Sequence, residues 1–348
     1  MRALLMTEPG RLETADVPVP DAPKGWALVR TRATAAGLFH TQMVAGMLDT
    51  GGFPRVLGHE IVGEIVDAPS PASPPPGTLV VADAVVGCGV CEWCIRGEDS
   101  ICPWMRHLGI DLDGGFAEFV VVPESNLFEL PSAVPMTEAV MMGSALPAAV
   151  HAVRRAGVAA GNRIGVSGIG SIGLAVCQVA RAFGATTVVA ADVSDSRLAA
   201  AAPWVDATVN VGDMPSETAA RALGEAVGLE RGLDVVFETA GHPTSLDTTV
   251  RAVRPGGIAL LMGICDGATA LTFDDYLGDF VRRELGLVTT FGFTRQDFVT
   301  GNALHAAGDL DLGVLAGPTI GLDEVPDTLA AIAAEGTGGT RYVVEVAP

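Results

Sequence analysis

The chain has little positive charge. It contains 21 Lys and Arg residues against 41 Asp and Glu residues, and its formal net charge is -20 at pH 7. Nucleic acids and anionic membranes are bound through clusters of basic side chains, and no such cluster stands out in the sequence. We therefore expect no nucleic-acid partner and no membrane partner, and a small molecule is the expected ligand.

The chain also lacks a long apolar run. A helix that spans a bilayer needs about 20 consecutive apolar residues, whereas the longest candidate, residues 139–153, contains Pro147 and is followed by two arginines. The apolar stretch at residues 1–6 is too short for the core of a signal peptide. The sequence predicts a cytoplasmic protein.

The sequence pattern is that of an α/β protein with two domains. Its 348 residues, 49% of them apolar, suffice for two domains of about 150 residues. Up to about residue 140, short β-type runs such as 26–35 and 116–122 are separated by Gly and Pro. From 144 to 288, apolar runs such as 163–167 and 233–238 alternate with helical patterns, which is typical of a doubly wound parallel sheet.

The last part of the chain returns to helical patterns and ends in a strand-like run at 342–346. We predict that this tail folds back onto the first domain. Residues 1–143 and 289–348 would then form a β-rich domain, and residues 144–288 the parallel-sheet domain.

Four of the six cysteines are regularly spaced. They follow the pattern C-x2-C-x2-C-x7-C and are Cys88, Cys91, Cys94 and Cys102. In a reducing compartment such spacing favours metal ligation over disulfides. Four thiolates complete a tetrahedral zinc site and leave no position for substrate, so we predict a structural zinc in the lobe 88–102. The alternative is a set of buried free thiols.

A glycine fingerprint follows the first strand of the parallel-sheet domain. Residues 168–173 read Gly-Ile-Gly-Ser-Ile-Gly between a strand and a helix. In a dinucleotide site, Gly168 would permit the turn, Gly170 the approach of the pyrophosphate and Gly173 the packing of helix on strand. Ser171 and Ile172 would be the first residues of the helix, and the backbone amides at this N-terminus would donate hydrogen bonds to the phosphates. The alternative is an ordinary βα turn.

Asp192 ends the next strand, about 20 residues after the fingerprint. A carboxylate there would accept hydrogen bonds from the adenosine ribose and repel a 2′-phosphate, so NAD(H) is favoured over NADP(H). Arg197 could lie near the same end of the cofactor and would suit NADPH. Asp192 could instead be a solvated strand end or a helix N-cap.

Together these features resemble the zinc-containing alcohol dehydrogenases of the medium-chain dehydrogenase/reductase superfamily, over nearly the whole chain. The motifs that carry the resemblance are Gly37-Leu38-Phe39-His40-Thr41, Gly58-His59-Glu60, the cysteine lobe, Gly114-Gly115-Phe116-Ala117-Glu118, the glycine fingerprint and Arg254-Pro255-Gly256-Gly257. The resemblance implies a GroES-like catalytic domain, a Rossmann domain, a cleft between them, and a homodimer or homotetramer.

The resemblance also identifies a site that differs from the family pattern. Three side chains bind the catalytic zinc in the family, and their positions correspond here to Phe39, His59 and Ser144. Gln42 stands where the family has a supporting Asp. A phenyl ring cannot bind zinc and Ser is a poor substitute for a thiolate or carboxylate, so we predict that the catalytic zinc is absent.

Other site residues receive roles through the same resemblance. Thr41 matches the hydroxyl that contacts the substrate oxygen and begins a proton relay, with His59 or His40 behind it, although its spacing alone would equally suit a surface Thr. His40 is also expected toward the cofactor phosphates, and Ile172 against the nicotinamide. The remaining substrate-pocket candidates are Phe39, Trp104, Met105 and Ser144.

The loss of a metal restricts the substrate. A catalytic zinc stabilises developing charge by several kcal/mol, whereas one hydrogen-bond donor such as Thr41 supplies about 3 kcal/mol. The difference favours substrates that carry their own activation. We therefore hypothesise an NAD(P)(H)-dependent oxidoreductase that transfers hydride to or from an activated carbonyl, enone, iminium or hydroxyl group.

Two other interpretations stay open. One is a conventional zinc-dependent alcohol or polyol dehydrogenase with unusual ligands, for which His40, Glu60 and His151 are the candidates nearby in sequence. The other is a catalytically silent relative that binds NAD(H) and serves as a sensor or scaffold, against which the retained Thr41 argues.

Overall fold

The chain folds into two compact units. The structure, a computed structural model, describes residues 1–47, 50–68, 70, 73–265, 267, 269–335 and 341–346. Unit 1 comprises Met1–Ser144 and Leu312–Pro348, and unit 2 comprises Ala145–Asp311. Within the described ranges no helix is both long enough and apolar enough to cross a membrane.

Unit 1 begins with a segment of short strands. The strands and helices of this segment are β1 (Arg2–Glu8), β2 (Arg11–Asp16), β3 (Trp26–Ala36), α1 (Leu38–Val44), β4 (Arg55–Val56), β5 (Val62–Asp67), β6 (Leu79–Ala82), β7 (Val85–Val86), α2 (Glu92–Ile95), β8 (Arg106–His107), β9 (Phe119–Pro123), β10 (Leu127–Glu129) and α3 (Met136–Met142).

Unit 2 alternates strands with helices. Its elements are α4 (Ala145–Arg155), β11 (Arg163–Ser167), α5 (Ser171–Ala182), β12 (Thr187–Asp192), α6 (Asp195–Ala201), β13 (Ala207–Asn210), α7 (Ser216–Glu225), β14 (Leu233–Glu238), α8 (Pro243–Ala252), β15 (Val253–Leu261), a π-helical turn (Tyr276–Val281), β16 (Gly286–Thr289) and α9 (Arg295–Ala306).

The chain then returns to unit 1 with β17 (Thr319–Gly321), α10 (Val325–Glu335) and β18 (Tyr342–Glu345). The largest sheet of unit 1 has the order β10-β6-β5-β3-β18-β17, with β9 also paired to β3, and a smaller sheet has the order β2-β1-β4. The last strand therefore lies inside the main sheet of unit 1, where β18 pairs antiparallel with β3.

Unit 2 is built around a parallel sheet in the order β13-β12-β11-β14-β15-β16. Every residue of β14 is buried, as expected for a strand covered by helices on both faces of a parallel sheet. The strand order reverses at β11, which pairs with both β12 and β14. In such sheets ligands bind at the carboxyl ends of the strands beside the reversal.

The boundary at which the chain leaves unit 2 differs from the predicted one. Residues 289–348 were expected in the β-rich domain, but residues 289–311 belong to unit 2. The buried side chain of Asp297 in α9 explains the difference, because it accepts hydrogen bonds from His151 Nδ1 and Arg154 Nη1 of α4, both at 2.7 Å. These bonds tie α9 to the first helix of unit 2.

Asp297 also organises the start of its own helix. Its carboxylate accepts from the backbone amide of Thr294 at 2.9 Å, and the Thr294 side chain accepts in return from the amide of Asp297. This capping box satisfies amides that the helix leaves open. The hydrogen bonds from His151 and Thr294 outweigh the effect of burial and lower the pKa of Asp297 to about 2.

Replacing this carboxylate tests its contribution to unit 2. We expect Asp297→Asn to lower the free energy of unfolding at pH 7 by about 3 kcal/mol, because it breaks a buried ion pair. The folded pKa of about 2 lies below the unfolded value of about 3.9, so this contribution is complete above about pH 4 and is lost as the pH falls toward 2.

Urea unfolding between pH 7 and pH 3 measures this difference. Asp309→Asn removes an exposed carboxylate of the same unit and is the matched control, with no expected effect. An Asp297→Asn variant that is equally destabilised at pH 7 and pH 3 would contradict the assignment.

Candidate functional site

The segment that carries His59 is held against a glycine turn. The amides of Gly115 and Phe116 donate to the carbonyls of Gly58 and Leu57 at 2.7 Å and 3.0 Å. Gly58 has φ +93°, and a Cβ atom on Gly114 would lie 2.2 Å from the Gly58 carbonyl oxygen. Only glycine permits this approach of two backbones, and the approach fixes where His59 leaves the chain.

Helix α1 places Phe39, His40 and Thr41 beside this segment. Its Met43 packs in the apolar core of unit 1 with Leu57, Phe116 and helix α10, and Phe39 packs against that core. The Thr41 hydroxyl donates to the Leu38 carbonyl at 2.7 Å. Its proton is therefore committed to the helix in this conformation, while its lone pairs are available to accept a hydrogen bond.

Three histidine rings and Phe39 form one aromatic cluster. His40 stacks on His59 with ring centroids 4.7 Å apart, and the edge of Phe39 meets His59 at 5.3 Å. His107 approaches the other side of His59 at 5.6 Å. Two ring nitrogens, His40 Nε2 and His59 Nδ1, are buried without a hydrogen-bond partner among the described residues.

The three imidazoles are neutral at pH 7. Burial lowers the pKa of His40 and of His59 well below the usual value of 6.5, and a neighbouring imidazole lowers each further: His59 for His40, and His107 for His59. Burial lowers the pKa of His107 as well. Its Nδ1 lies 2.8 Å from the Leu108 carbonyl, which can only accept, so Nδ1 carries the proton and Nε2 is left as an acceptor.

His40 is packed inside unit 1. The residue is 1% exposed, and its ring lies between His59 and Phe116. It is therefore a packing partner of His59, and its predicted role at the cofactor phosphates stays a prediction.

The residues around His59 do not fit a catalytic zinc. The rings of His40 and His59 are within 23° of parallel, so their in-plane lone pairs cannot converge on one ion. Phe39 brings carbon atoms to the side where the family has a ligand. Among the described residues, the four-cysteine group is the one set of three or more Cys, His, Asp or Glu side chains whose ligand atoms converge.

The other candidate replacement ligands are already engaged. Glu60 is 1% exposed and forms an ion pair with Arg341 at 2.7 Å. His151 lies in unit 2, where Nδ1 pairs with Asp297. Neither the carboxylate nor the imidazole is available to complete a zinc site at His59.

The cysteine lobe does fit a zinc ion. All four sulfur atoms lie within 4.8 Å of one another, with separations of 3.5, 3.8 and 4.0 Å between paired sulfurs. Four sulfurs at about 2.3 Å from a tetrahedral zinc are about 3.8 Å apart. A backbone hydrogen bond from Val90 is the main cause that lowers the pKa of the Cys88 thiol, to about 7.

The remaining pocket candidates are less buried than the histidines. Trp104 is 67% exposed and Met105 37% exposed, both just after Cys102. Ser144 is half-buried and lies between α3 and α4, at the end of the first segment of unit 1.

The glycine fingerprint forms the turn between β11 and α5. Gly168 has φ +101°, and a Cβ atom there would lie 2.6 Å from the amide nitrogen of Ala240. A Cβ atom on Gly173 would lie 1.9 Å from the Gly168 carbonyl oxygen. Gly170 precedes Ser171, the first residue of α5. This cradle leaves the amino end of a helix open at the strand-order reversal, where a dinucleotide pyrophosphate binds.

Asp192 joins the fingerprint to the next helix. One carboxylate oxygen accepts from the Ile169 amide at 2.6 Å, and the other accepts from the Ser194 amide and from Arg197 at 2.9 Å and 3.0 Å. Asp192 therefore neutralises Arg197 while it braces the phosphate loop.

Sequence reasoning missed two residues of these sites. His107 is a single histidine in the two-residue strand β8, and no spacing pattern connects it to His59. Glu238 ends β14 and accepts from the amides of Ala240, Gly241 and Gly263 at 2.9–3.2 Å, so it holds the loop that faces Gly168. Its position at the carboxyl end of a predicted strand could have identified it.

Comparison with known proteins identifies the class to which these two units belong. The family model for the alcohol dehydrogenase GroES-like domain matches residues 23–132. The model for the zinc-binding dehydrogenase domain matches residues 171–306. A GroES-like domain and a nucleotide-binding domain in this order define a dehydrogenase, and the predicted fold class is confirmed.

Individual relatives are similar to this chain over most of their length. The chain is 31% identical to D-altritol 5-dehydrogenase of Agrobacterium fabrum, with 85% of each chain covered, and 30% identical to L-galactonate-5-dehydrogenase of Escherichia coli, with 89% and 88% covered. A crystal structure from Sinorhizobium meliloti 1021, described as a zinc-binding dehydrogenase bound to NADP, is 28% identical with a TM-score of 0.89, covering 99% and 98%. The protein belongs to the alcohol dehydrogenase family of medium-chain dehydrogenases/reductases and is an NAD(P)-dependent oxidoreductase.

Metal content tests the cysteine lobe. We expect purified protein to hold about one zinc ion per chain, and Cys102→Ser to lose it because three thiolates bind zinc more weakly than four. Elemental analysis after gel filtration measures the ratio. Cys177→Ser changes a buried cysteine of α5 in unit 2 and should keep the zinc; equal zinc content in the two variants would contradict the site.

Proposed function

We propose that the protein is an NAD(P)-dependent dehydrogenase that oxidises an activated hydroxyl group, or reduces the corresponding carbonyl group, without a catalytic zinc. The environment of His59 carries the proposal. Phe39 lies edge-on to this ring at 5.3 Å, on the side where the family has a metal ligand. His59 Nδ1 is buried and has no hydrogen-bond partner in the described part of the chain.

The neutral histidines favour a role as proton acceptor. When a hydroxyl group is oxidised, the C–H bond breaks with its electron pair and the O–H bond releases a proton. The nicotinamide supplies the hydride acceptor when the cofactor is bound. A neutral imidazole can take the released proton, whereas it lacks the extra proton that a general acid needs. His59 is therefore proposed as a base in oxidation, at the end of the proton relay that begins at Thr41.

Thr41 supports the same direction. Because its own proton is directed to the Leu38 carbonyl, its oxygen is an acceptor for the substrate hydroxyl. His59 is the final acceptor of the substrate proton, either directly or through Thr41 Oγ1, in which case the Thr41 hydroxyl proton leaves the Leu38 carbonyl and passes to His59 as the substrate proton replaces it. To stabilise an oxyanion in the reductive direction, Thr41 would first have to release the Leu38 carbonyl.

The lack of a Lewis acid limits the substrate to activated compounds. A single hydrogen bond at the reacting oxygen is worth only about 3 kcal/mol, so neighbouring electron-withdrawing groups must supply the rest of the stabilisation. A hydroxyl group flanked by hydroxyl, carbonyl or carboxylate groups meets this condition. The names of two relatives, for D-altritol and L-galactonate, support a polyhydroxylated substrate.

NAD(H) is the cofactor we propose for this reaction. Asp192 places a buried negative charge at the end of β12, and Arg197 is already paired with it. A 2′-phosphate would meet the carboxylate and would have to compete for the guanidinium group. Because Arg197 is paired with Asp192, its presence is a weaker argument for NADP(H) than the carboxylate is for NAD(H).

The Thr41 hydroxyl can be tested directly. We expect Thr41→Val to lower kcat/KM about 100-fold, the effect of removing one hydrogen-bonding group at the reacting oxygen, while Thr41→Ser stays near wild type. NADH affinity should not change in either variant. Steady-state assays with vicinal diols, α-hydroxy ketones and simple primary alcohols as parallel substrates provide the measurement.

Two further readouts separate this mechanism from a zinc mechanism. The pH profile of kcat/KM should show no inflection near 6.5, because the pKa of His59 is lowered well below that value. Full activity should coincide with about one zinc per chain. Two zinc ions per chain, with activity that follows the second ion, would falsify the proposal.

Cofactor selectivity can be tested at Asp192. Asp192→Ser is expected to lower the ratio of NADPH to NADH dissociation constants about tenfold or more, because it removes the repulsion and frees Arg197. Arg197→Gln should move the ratio in the opposite direction. Fluorescence titration with NADH and with NADPH gives the two dissociation constants. Losing the hydrogen bond from Ile169 to Asp192 affects both constants alike, so it cancels in their ratio. An unchanged ratio in Asp192→Ser would contradict the assignment.

A further inference from the structure

Unit 2 contains a pocket at the edge of its sheet opposite the glycine fingerprint, which we call the arginine pocket. The pocket has a volume of about 310 Å³ and includes Gly232 and Ala252, the residues directly before β14 and β15. It therefore lies at the amino ends of two adjacent parallel strands, whereas the fingerprint follows the carboxyl end of β11. Its volume is at the lower limit for small-molecule sites, which begin at about 300 Å³.

Most of the charged side chains that line the arginine pocket are positive. The charged residues are Arg221, Arg231, Arg251, Arg283, Glu217 and Glu230. Four of the 21 basic residues of a chain with net charge -20 thus meet in one small concavity. They come from α7, the loop before β14, the end of α8 and the segment before β16, which is why no basic cluster is visible in the sequence.

Arg251 is the one member of the four with a close carboxylate partner on its own helix. Its Nε atom lies 2.9 Å and 3.0 Å from the two oxygens of Asp247. Asp274 and Asp279 act on it as well, and together these carboxylates raise its pKa. Arg221 has only a 4.0 Å contact with Glu225, and both of these side chains are 61% exposed.

Arg283 has a different environment. Its guanidinium donates to the backbone carbonyls of Asp279 and Arg251, both at 3.3 Å, and to that of Val253. Carbonyl groups fix its position but do not neutralise its charge. Burial lowers its pKa, as does repulsion from Arg251, although Asp279 acts in the opposite direction. An anion in the pocket would relieve this repulsion.

Arg231 completes the arrangement at the rim. It is exposed, and no hydrogen bond or ion pair is formed by its side chain in the described ranges. The long side chain of Arg231 can therefore bind an anion that is also bound by Arg283. Two guanidinium groups can engage the oxygens of a phosphate group through paired N–H donors.

We propose that the arginine pocket is a binding site for a small phosphate-bearing anion, separate from the dinucleotide site. Arg283 provides the fixed, half-buried contact and Arg231 the exposed contact, whereas Arg251 is already paired with Asp247. The two glutamates at the rim would disfavour anions larger than the pocket.

Calorimetric titration with inorganic phosphate tests the proposal. The protein is first saturated with NADH, so that the fingerprint cannot bind the added phosphate, and sodium chloride keeps the ionic strength constant. We expect saturable binding by the wild type. Arg231→Gln should weaken it about tenfold, which corresponds to one charge-assisted hydrogen bond. Arg282→Gln removes the same charge from an exposed residue outside the pocket and should change affinity less than twofold.

Arg283→Met provides a second test from inside the pocket. It should abolish phosphate binding while NADH affinity, measured in the same preparation, reports that unit 2 is folded. A parallel titration with glycerol 1-phosphate distinguishes the source: tighter binding than phosphate indicates a phosphate monoester, and equal binding indicates inorganic phosphate. No saturable binding by the NADH-saturated wild type, or equal affinities of the wild type and Arg231→Gln, would overturn the proposal.

Discussion

The contact between two glycine backbones, Gly58 and Gly114, is the constraint on which the site of unit 1 depends. It lets the segment before His59 run against the turn before Phe116 with no side chain between them. Phe116 then supports His40, and His40 stacks on His59. A methyl group at either glycine would separate these layers, so the site is sensitive to residues that perform no chemistry themselves.

The burial that follows from this packing decides the chemistry of the histidines. Imidazoles withdrawn from water and placed beside one another stay neutral. In related folds a cation can serve as the electrophile, whereas among the described residues here Phe39 and the near-parallel rings leave no convergent set of donors around His59. One architecture can thus present different groups at one position, which is why membership of a family identifies the reaction class but not the mechanism.

Features governed by local sequence could be predicted, and features created by distant contacts could not. The strands of unit 2 and the turn at Gly168 follow from apolar runs and glycine spacing, and the sulfur geometry at Cys88 to Cys102 follows from short loops. His107 meets His59 only through the fold of unit 1. The burial of His40 likewise depends on Phe116, which is distant in the sequence. The change of boundary to Leu312 depends on one carboxylate, Asp297, that reaches another helix.

The position of β18 has a consequence for the order in which the two units can form during synthesis. Unit 2 is a continuous segment that ends at Asp311, so all of its strands are synthesised before β17 and β18 of unit 1. The main sheet of unit 1 cannot be completed until later, because β18 fills the gap between β3 and β17. Arg341, directly before β18, also forms the ion pair with Glu60. The strands of unit 2 can therefore pair first, and the main sheet of unit 1 is completed only after β18 has been synthesised.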